Sequence, residues 1–595
     1  MVRRRFLLPA SIVLVLLFVF YTWPAGDGDW LKSAISNKFD ANVIKDDKYF
    51  WRKRITHFPI EEIKQFPTGV PLKLPNIQTT FPPEGKQERT TRLERQQTVK
   101  NAFSRCWSSY KNKAFMRDEL APLSGKARDT SAGWGATLVD SLDTLHIMGM
   151  HDEFEEAVAA AAKIDFEKSS LKTVNTFETT VRYLGGFLSA YDLSGDQRLL
   201  RKAREAGDMI YAAFDTPNRM PITRWDFGAA QRGEKQEASD NALIAEVGSY
   251  CMEFTRLSLV TGDPRWYDAA ERIREVLQEQ QNTTLLPGMW PITVSPGNKE
   301  FNRDNTFTLG AMSDSTYEYL PKMHALVGGL IPEYQSMYET AMETALSVNF
   351  FRPLLPYSPD ILISGSVHAN DAWGQTSYEL EAHGQHLVCF VGGMLAVGGR
   401  LFDKPEHLTV AKKLVDGCIW TYTAMPLGIM PETFYMVPCK AGEKCDWDAS
   451  VWKEEVLQQA NEENVRDMEK ADARIAKYSL PKGFTEISEV KYHLRSEAIE
   501  SIFVLYRATG NKDLLDTAWK MFQTIQKHTE TKLANGGVGD VTVSDRAPKL
   551  DAMESHWMGE TLKYFYLMFS ESDFISLDEW VFNTKAHPFK RLVRS

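Results

Sequence analysis

One unit keeps returning along this chain: an apolar helix, a short turn carrying glycine or polar residues, then an amphipathic helix containing alanine. It reads SLDTLHIMGMHDEFEEAVAAA at 141–161, LSAYDLSGDQRLLRKAREAG at 188–207 and FTRLSLVTGDPRWYDAAERI at 254–273. It returns as MHALVGGLIPEYQSMYETAM at 323–342, GGMLAVGGRLFDKPEHLTVAKKL at 392–414 and SIFVLYRATGNKDLLDTAWKMF at 501–522. A seventh copy is expected from LKYFYLMFSESDFISLDEW at 562–580. A helical pair of this kind cannot bury its apolar face alone, so a recurring series requires neighbours to stack. Unequal loops and the lack of any linker-like break favour a closed all-α toroid over an open solenoid or separate helical domains. Upstream, Leu93, Val99, Phe103, Trp107 and Tyr110 recur at helical spacing, which places the start of the domain near residue 88. A toroid encloses a central funnel suited to an elongated substrate, and loops between hairpins would line it.

The N-terminus calls for different chemistry. Residues 6–23, FLLPASIVLVLLFVFYTW, carry no charged side chain and follow Arg3, Arg4 and Arg5. That length just crosses a hydrocarbon core of roughly 30 Å. A cleaved signal peptide is the competing reading, but its apolar region runs about 7–15 residues and ends in small ones. This run ends instead in Tyr21, Thr22 and Trp23, an interfacial anchor, and the preceding arginines favour a cytosolic tail over 1–5. The expectation is a single-pass type II membrane protein of the ER or Golgi, with a lumenal stem at 24–87 and a catalytic domain at 88–595. Prolines 59, 67, 71, 75, 82 and 83 support an extended stem; the alternative is that part of it packs on the domain. Six cysteines suit an oxidising compartment. Cys439 and Cys445 read as a loop staple, Cys389 and Cys418 as a possible bridge between helices, and Cys106 and Cys251 as buried thiols. Asn282 heads an Asn-Thr-Thr sequon. The net charge of −10 argues against a nucleic-acid partner, and a monomer is expected.

Acidic residues inside apolar helices are costly unless paired or functional. Glu178 lies in TVNTFETTVRYLGGFLSAY with Arg182 one turn on, and Glu246 lies in NALIAEVGSYCMEF. Asp314 lies in LGAMSDSTYEYL, Glu497 and Glu500 follow Arg495 in LRSEAIESIFVLY, and Glu560 lies in MESHWMGETLKYFYLMF. Any one of them could be a helix cap or a buried ion pair. Six at the starts or inner faces of repeated helices suggest a carboxylate-lined pocket of the kind that cleaves glycosidic bonds.

The blocks GWGATLVDSLDTLHIMG (133–149), FETTVRYLGGFLSAYDLSGD (177–196), HLVCF with GGMLA (386–396), ESIFVLYRATGN (500–511) and ETLKYFYLMFS (560–570) resemble the signatures of glycoside hydrolase family 47. These are the class I α-1,2-mannosidases of the ER and Golgi, and this chain resembles a divergent, fungal-type member. The resemblance implies an (α/α)7 barrel, a calcium ion at its base, inversion of the anomeric carbon and high-mannose N-glycans as substrates. It puts the general acid at Glu178, which should keep its proton near neutral pH, and the base at Glu497, with Asp314 as a third catalytic carboxylate. Arg182, Glu246, His386, Arg495, Glu500, His556 and Glu560 would line the sugar pocket. Thr584, in VFNTKAHPF (581–589), would ligate calcium through its hydroxyl and carbonyl oxygens, and Cys389 and Cys418 match the family's internal disulfide.

Four positions depart from that pattern. Ser496 replaces a proline ahead of the base, which should loosen the backbone there, and His556 replaces a phenylalanine that meets the sugar. Met312 stands where ER-type members have arginine and Golgi-type members an apolar residue, which favours broader branch use. Lys585 replaces the glutamate that follows the calcium threonine. Directed inward, a lysine there would weaken calcium binding by several kcal/mol; directed outward, it would forfeit only one contact to metal-bound water. These changes keep a second reading open: a weak or inactive mannosidase-like lectin that binds high-mannose glycans in ER quality control.

Overall fold

A computed structural model describes residues 49–594, apart from 373–374 and 441–443. The expected tail, membrane anchor and first part of the stem (1–48) lie outside the described residues. Among those described, no helix is long and apolar enough to cross a membrane.

The inner helices of the repeats are Leu142–Ile147, Gly185–Ser194, Cys251–Thr261, Asp314–Leu326, Phe390–Leu401, Glu497–Thr509 and Leu562–Met568. Each packs on the next in that order, and the turn Trp557–Thr561 that leads into the last packs back on the first, closing a seven-membered ring. Their character explains the placement. Phe390–Leu401 is buried at every position except Arg400, and in Asp314–Leu326 only the first residue is not fully buried. Helices apolar on all sides need a second layer. Six amphipathic helices supply it, each following its inner partner: His151–Ala161, Gln197–Tyr211, Arg265–Gln280, Glu333–Val348, Pro405–Ala424 and Asp513–Thr529.

The seventh pair corrects the sequence reading. Residues after Met568 turn repeatedly and form no outer helix. The partner of Leu562–Met568 is instead Lys86–Ala114, from the opposite end of the domain, which buries Val99, Phe103, Cys106, Trp107 and Tyr110 while Leu93 stays exposed. The ring is therefore closed by its two chain ends.

For the described part of the stem, the alternative that it packs on the domain holds. Residues 49–85 lie along the domain: Trp51 is buried and donates from Nε1 to the Phe166 carbonyl (2.7 Å), Tyr49 donates to Asp208 (2.6 Å), and the Ile77 amide donates to Asp578 (2.6 Å). Proline suits such a strap, because it lacks an N–H that the surface would have to satisfy. Cys389 and Cys418 are joined (S–S 2.06 Å), as are Cys439 and Cys445, while Cys106 and Cys251 are free and buried. Beside the second disulfide, helices Ala449–Gln459 and Met468–Tyr478 pack on each other around a small separate core of Trp452, Val456 and Leu480. The repeat pattern gives no sign of this appendage.

Candidate active site

The last hairpin of the chain pairs Trp580–Phe582 with Pro588–Lys590 and enters the ring between Gly185–Ser194 and Asp314–Leu326. Glycine is required where it enters: a Cβ on Gly185 would lie 2.7 Å from Asn583 Nδ2. Asn583 then fastens the turn. Its amide group donates to the Val181 carbonyl (2.9 Å) and to Glu253 (2.7 Å), and its side-chain oxygen accepts from the Lys585 and His587 amides (both 2.9 Å). His587 contacts Asp143 (2.7 Å) and Asp140 (3.4 Å), and Lys563 donates to the Ala586 carbonyl (2.7 Å). These groups are all buried. The polar knot at the end of the sequence is the floor of the funnel.

Two inner helices open by one wider turn, at Thr180–Leu184 and Trp557–Thr561. Such turns re-aim side chains and recur at functional sites. Here they carry Arg182 and Glu560. Arg182 donates to Glu178 (2.8 Å), to Asp140 (3.1 Å) and to the Ser555 hydroxyl (2.9 Å). Asn175 caps the helix that bears Glu178 by accepting from its amide (3.2 Å), and donates to Glu246 (3.0 Å), which also accepts from Arg224 (2.5 Å). On the other wall, Glu497 contacts His386 (2.9 Å), whose second nitrogen meets the Tyr422 hydroxyl (2.7 Å). Arg495 lies 3.8 Å from Glu497 and donates to Glu432. Glu500 pairs with Lys322 (3.2 Å), which also binds Glu318. Ser496 donates to Glu560 (2.7 Å). The wall is graded: the Glu178 side chain is 39% exposed, Lys585 20% and Glu497 15%.

These surroundings push the three expected catalytic carboxyls apart. Burial raises Asp314 to about 7, reinforced by Glu318 and Glu497 against the pull of Lys585. Burial works the same way on Glu497, but His386 and Arg495 outweigh it and bring the group to about 2. At Glu178 the charges of Arg182 and Lys585 likewise overcome burial, to about 2. Glu178 is thus shifted down and Asp314 up, the reverse of what an acid at Glu178 calls for. Glu500 is also raised, by burial and Glu318 against the pull of Lys322.

The departures resolve individually. Ser496 does not loosen the approach to Glu497: it starts that helix and fixes Glu560 with a hydroxyl that proline could not offer. His556 is buried and contacts the His493 carbonyl (2.6 Å) as part of the wall, so its ring is committed to the protein. Met312 is exposed, with left-handed backbone (φ 78°). Lys585 points inward, its ammonium 3.8 Å from Glu560. The sequence reading did not name Asp140, Asn175, Glu432 or Ser555. Asp140 could have been found as a buried acid in the block at 133–149; the other three are recognisable only through their partners.

The sequence model of glycosyl hydrolase family 47 matches residues 102–591. The chain belongs to that family. It is 33% identical over 517 residues to mannosyl-oligosaccharide 1,2-alpha-mannosidase MNS1 of Arabidopsis thaliana, covering 84% of this chain and 80% of that one. It is also 33% identical to the human endoplasmic reticulum mannosyl-oligosaccharide 1,2-alpha-mannosidase, over 87% of this chain and 66% of the human protein. Among solved structures it resembles the alpha-1,2-mannosidase from Trichoderma reesei, with a TM-score of 0.72 and 28% identity over 84% of this chain and 99% of that one.

The calcium expected of a family 47 member would meet an ammonium beside its threonine. Among the described residues, no three His, Cys, Asp or Glu side chains converge as metal ligands, so ligation would rest on the Thr584 oxygens and on water. Calcium takes about 6–8 oxygens. The carboxylates that would hold such water share the recess with an inward-pointing ammonium on the very next residue.

Proposed function

We propose that this family 47 protein is an inverting exo-α-1,2-mannosidase that trims terminal mannose from high-mannose N-glycans in the secretory pathway. The observation that carries the reading is the split between Asp314, protonated up to about pH 7, and Glu497, ionised above about pH 2, in one recess. Titratable groups pushed apart in this way are acid and base assignments. Asp314 would donate a proton to the departing glycosidic oxygen. Glu497, held in place by His386 and Arg495, would take a proton from the water attacking the opposite face of the sugar. Inversion needs room for that water, a carboxyl separation of about 6.5–9.5 Å in general. Glu178, tied to Arg182, stays charged and would hold sugar hydroxyls or a bridging water, while Glu246 and Glu500 extend the wall. Names of the relatives support the substrate class, and the retained carboxyls weigh against the lectin reading.

The test incubates the full-length chain, purified in detergent, with a labelled nine-mannose glycan and follows release by chromatography and anomeric configuration by NMR. Release of β-mannose supports the proposal. Retention of the intact glycan on the protein without release would replace it with the lectin reading, and release of α-mannose would remove the inverting mechanism.

A further inference from the structure

We infer that the Lys585 ammonium replaces a divalent cation at the floor of this recess, binding the sugar oxygens such an ion would take, so that the site works without added metal. This rests on the reading of the recess as the mannose site and adds what supplies its positive charge.

Lys585 is held by its backbone, not its side chain: its amide is fixed on Asn583, and the turn is pinned on both sides. The side chain is free to choose a direction, and it turns into the recess. Its nearest carboxylate, Glu560, is buried at 5% exposure. One Glu560 oxygen accepts from Ser496 (2.7 Å); the other accepts no hydrogen bond and faces the ammonium at 3.8 Å, beyond hydrogen-bond length. Among the described residues the Lys585 ammonium donates no hydrogen bond, so its three N–H groups remain available. Its charge also acts on Glu178, Glu497 and Asp314. A cation ringed by carboxylates, with every donor unspent and one side open, is arranged to receive oxygen acceptors from a ligand. Sugar hydroxyl oxygens are such acceptors.

An ordinary buried ion pair accounts for less. It would draw the lysine into contact with Glu560, as Lys563 is drawn to Asp143 at 2.7 Å in the same floor. A glutamate at 585 would change the local charge by two units and remove the cation that faces Glu560, a recess that favours a cation from solution.

The experiment uses the full-length chain after dialysis against EDTA, with calcium binding read by calorimetry and mannose release from the nine-mannose glycan read in parallel. Wild type should give no calcium heat at about millimolar concentrations and should keep its rate in EDTA within about twofold, whereas Lys585→Glu should bind calcium in the range of about 10⁻⁴–10⁻³ M. Lys585→Met, which keeps the length of the side chain, should lose at least about tenfold in rate in EDTA, the equivalent of one decade in transition-state binding. Calcium binding by wild type, or no gain of binding in a folded Lys585→Glu protein, overturns the inference. A fully active Lys585→Met enzyme in EDTA does the same. If no form releases mannose while the calcium pattern is as expected, the mannosidase reading fails and the replacement of the cation stands.

Discussion

Replacing Asp314 with asparagine should abolish mannose release and yet stabilise the protein above neutral pH. A carboxyl raised from 3.8 to about 7 favours its protonated form in the folded state. Its stabilising effect is complete below about pH 4 and is lost as pH climbs towards 7, because the folded protein must give up a proton it holds more tightly than the unfolded chain does. At about 1.4 kcal/mol per unit, the step from about pH 4.5 to about pH 8 removes about 3 kcal/mol. Asparagine keeps the acceptor for the Ser315 amide, now 2.8 Å from Asp314, and has no proton to lose. Unfolding entropy of about 2 cal/mol/K per residue, over a unit the size of Tyr49–Ser595, converts this to about 3 °C. The melting temperature of Asp314→Asn minus that of wild type should therefore rise by about 3 °C between those two pH values. The same titration should make wild-type kcat/KM fall about tenfold per pH unit above about 7. A melting difference independent of pH, or a variant still releasing mannose at a tenth of the wild-type rate, would refute the assignment of the proton to Asp314.

Removing Arg182 as Arg182→Met should destabilise by about 3–5 kcal/mol, because buried Asp140 loses its cation, and denaturant titration reads that loss directly. Ser496→Ala deprives Glu560 of its hydroxyl donor and should cost about 1–3 kcal/mol at a buried acceptor, measured the same way. Reducing or mutating the Cys389–Cys418 bridge opens a loop of 29 residues and should lower stability by about 3–4 kcal/mol on chain-entropy grounds, about 3 °C in a thermal melt. Gly185→Ala places a methyl 2.7 Å from Asn583, within a floor that has no slack, and should cost at least about 2 kcal/mol together with glycan affinity.

Six of the seven repeat units were legible because each is local: two helices joined by a short turn, with apolar residues at a period the ear of a window can catch. The seventh was misread for the complementary reason. Residues 571–580 continue the pattern loosely, but the helix that covers Leu562–Met568 starts at Lys86, and no local signal reports a pairing across the whole domain. For residues 49–85 the two readings of the stem could not be separated from sequence, since prolines describe an extended backbone but not what it lies against; Trp51 and Ile77 decide that by burial. Glu178, Asp314, Glu497, Glu500 and Glu560 could be picked out as acids in apolar helices, but which one keeps a proton could not. That division depends on Arg182, His386, Arg495 and Lys585 converging from four parts of the sequence.

The floor explains how a lysine can stand at 585, where the family resemblance leads one to expect glutamate, without disturbing the fold. The hydrogen bonds that mount the turn use Asn583, Ala586 or His587, or the Thr584 and Lys585 backbones; none uses the Lys585 side chain. Burial raises Glu253, beneath Asn583, to about 7 against the hydrogen bonds from Asn583 and Tyr319 (2.7 and 2.9 Å), and this mount does not involve the Lys585 side chain. The position is thus fixed in space while its chemistry is left open. A carboxylate there makes a recess that must recruit a cation, and an ammonium makes one that already has it. Because Lys585 acts on Glu178 and Asp314 and also faces Glu560, exchanging one side chain alters the charge met by several carboxyls at once, which a more deeply packed residue could do only by breaking the barrel.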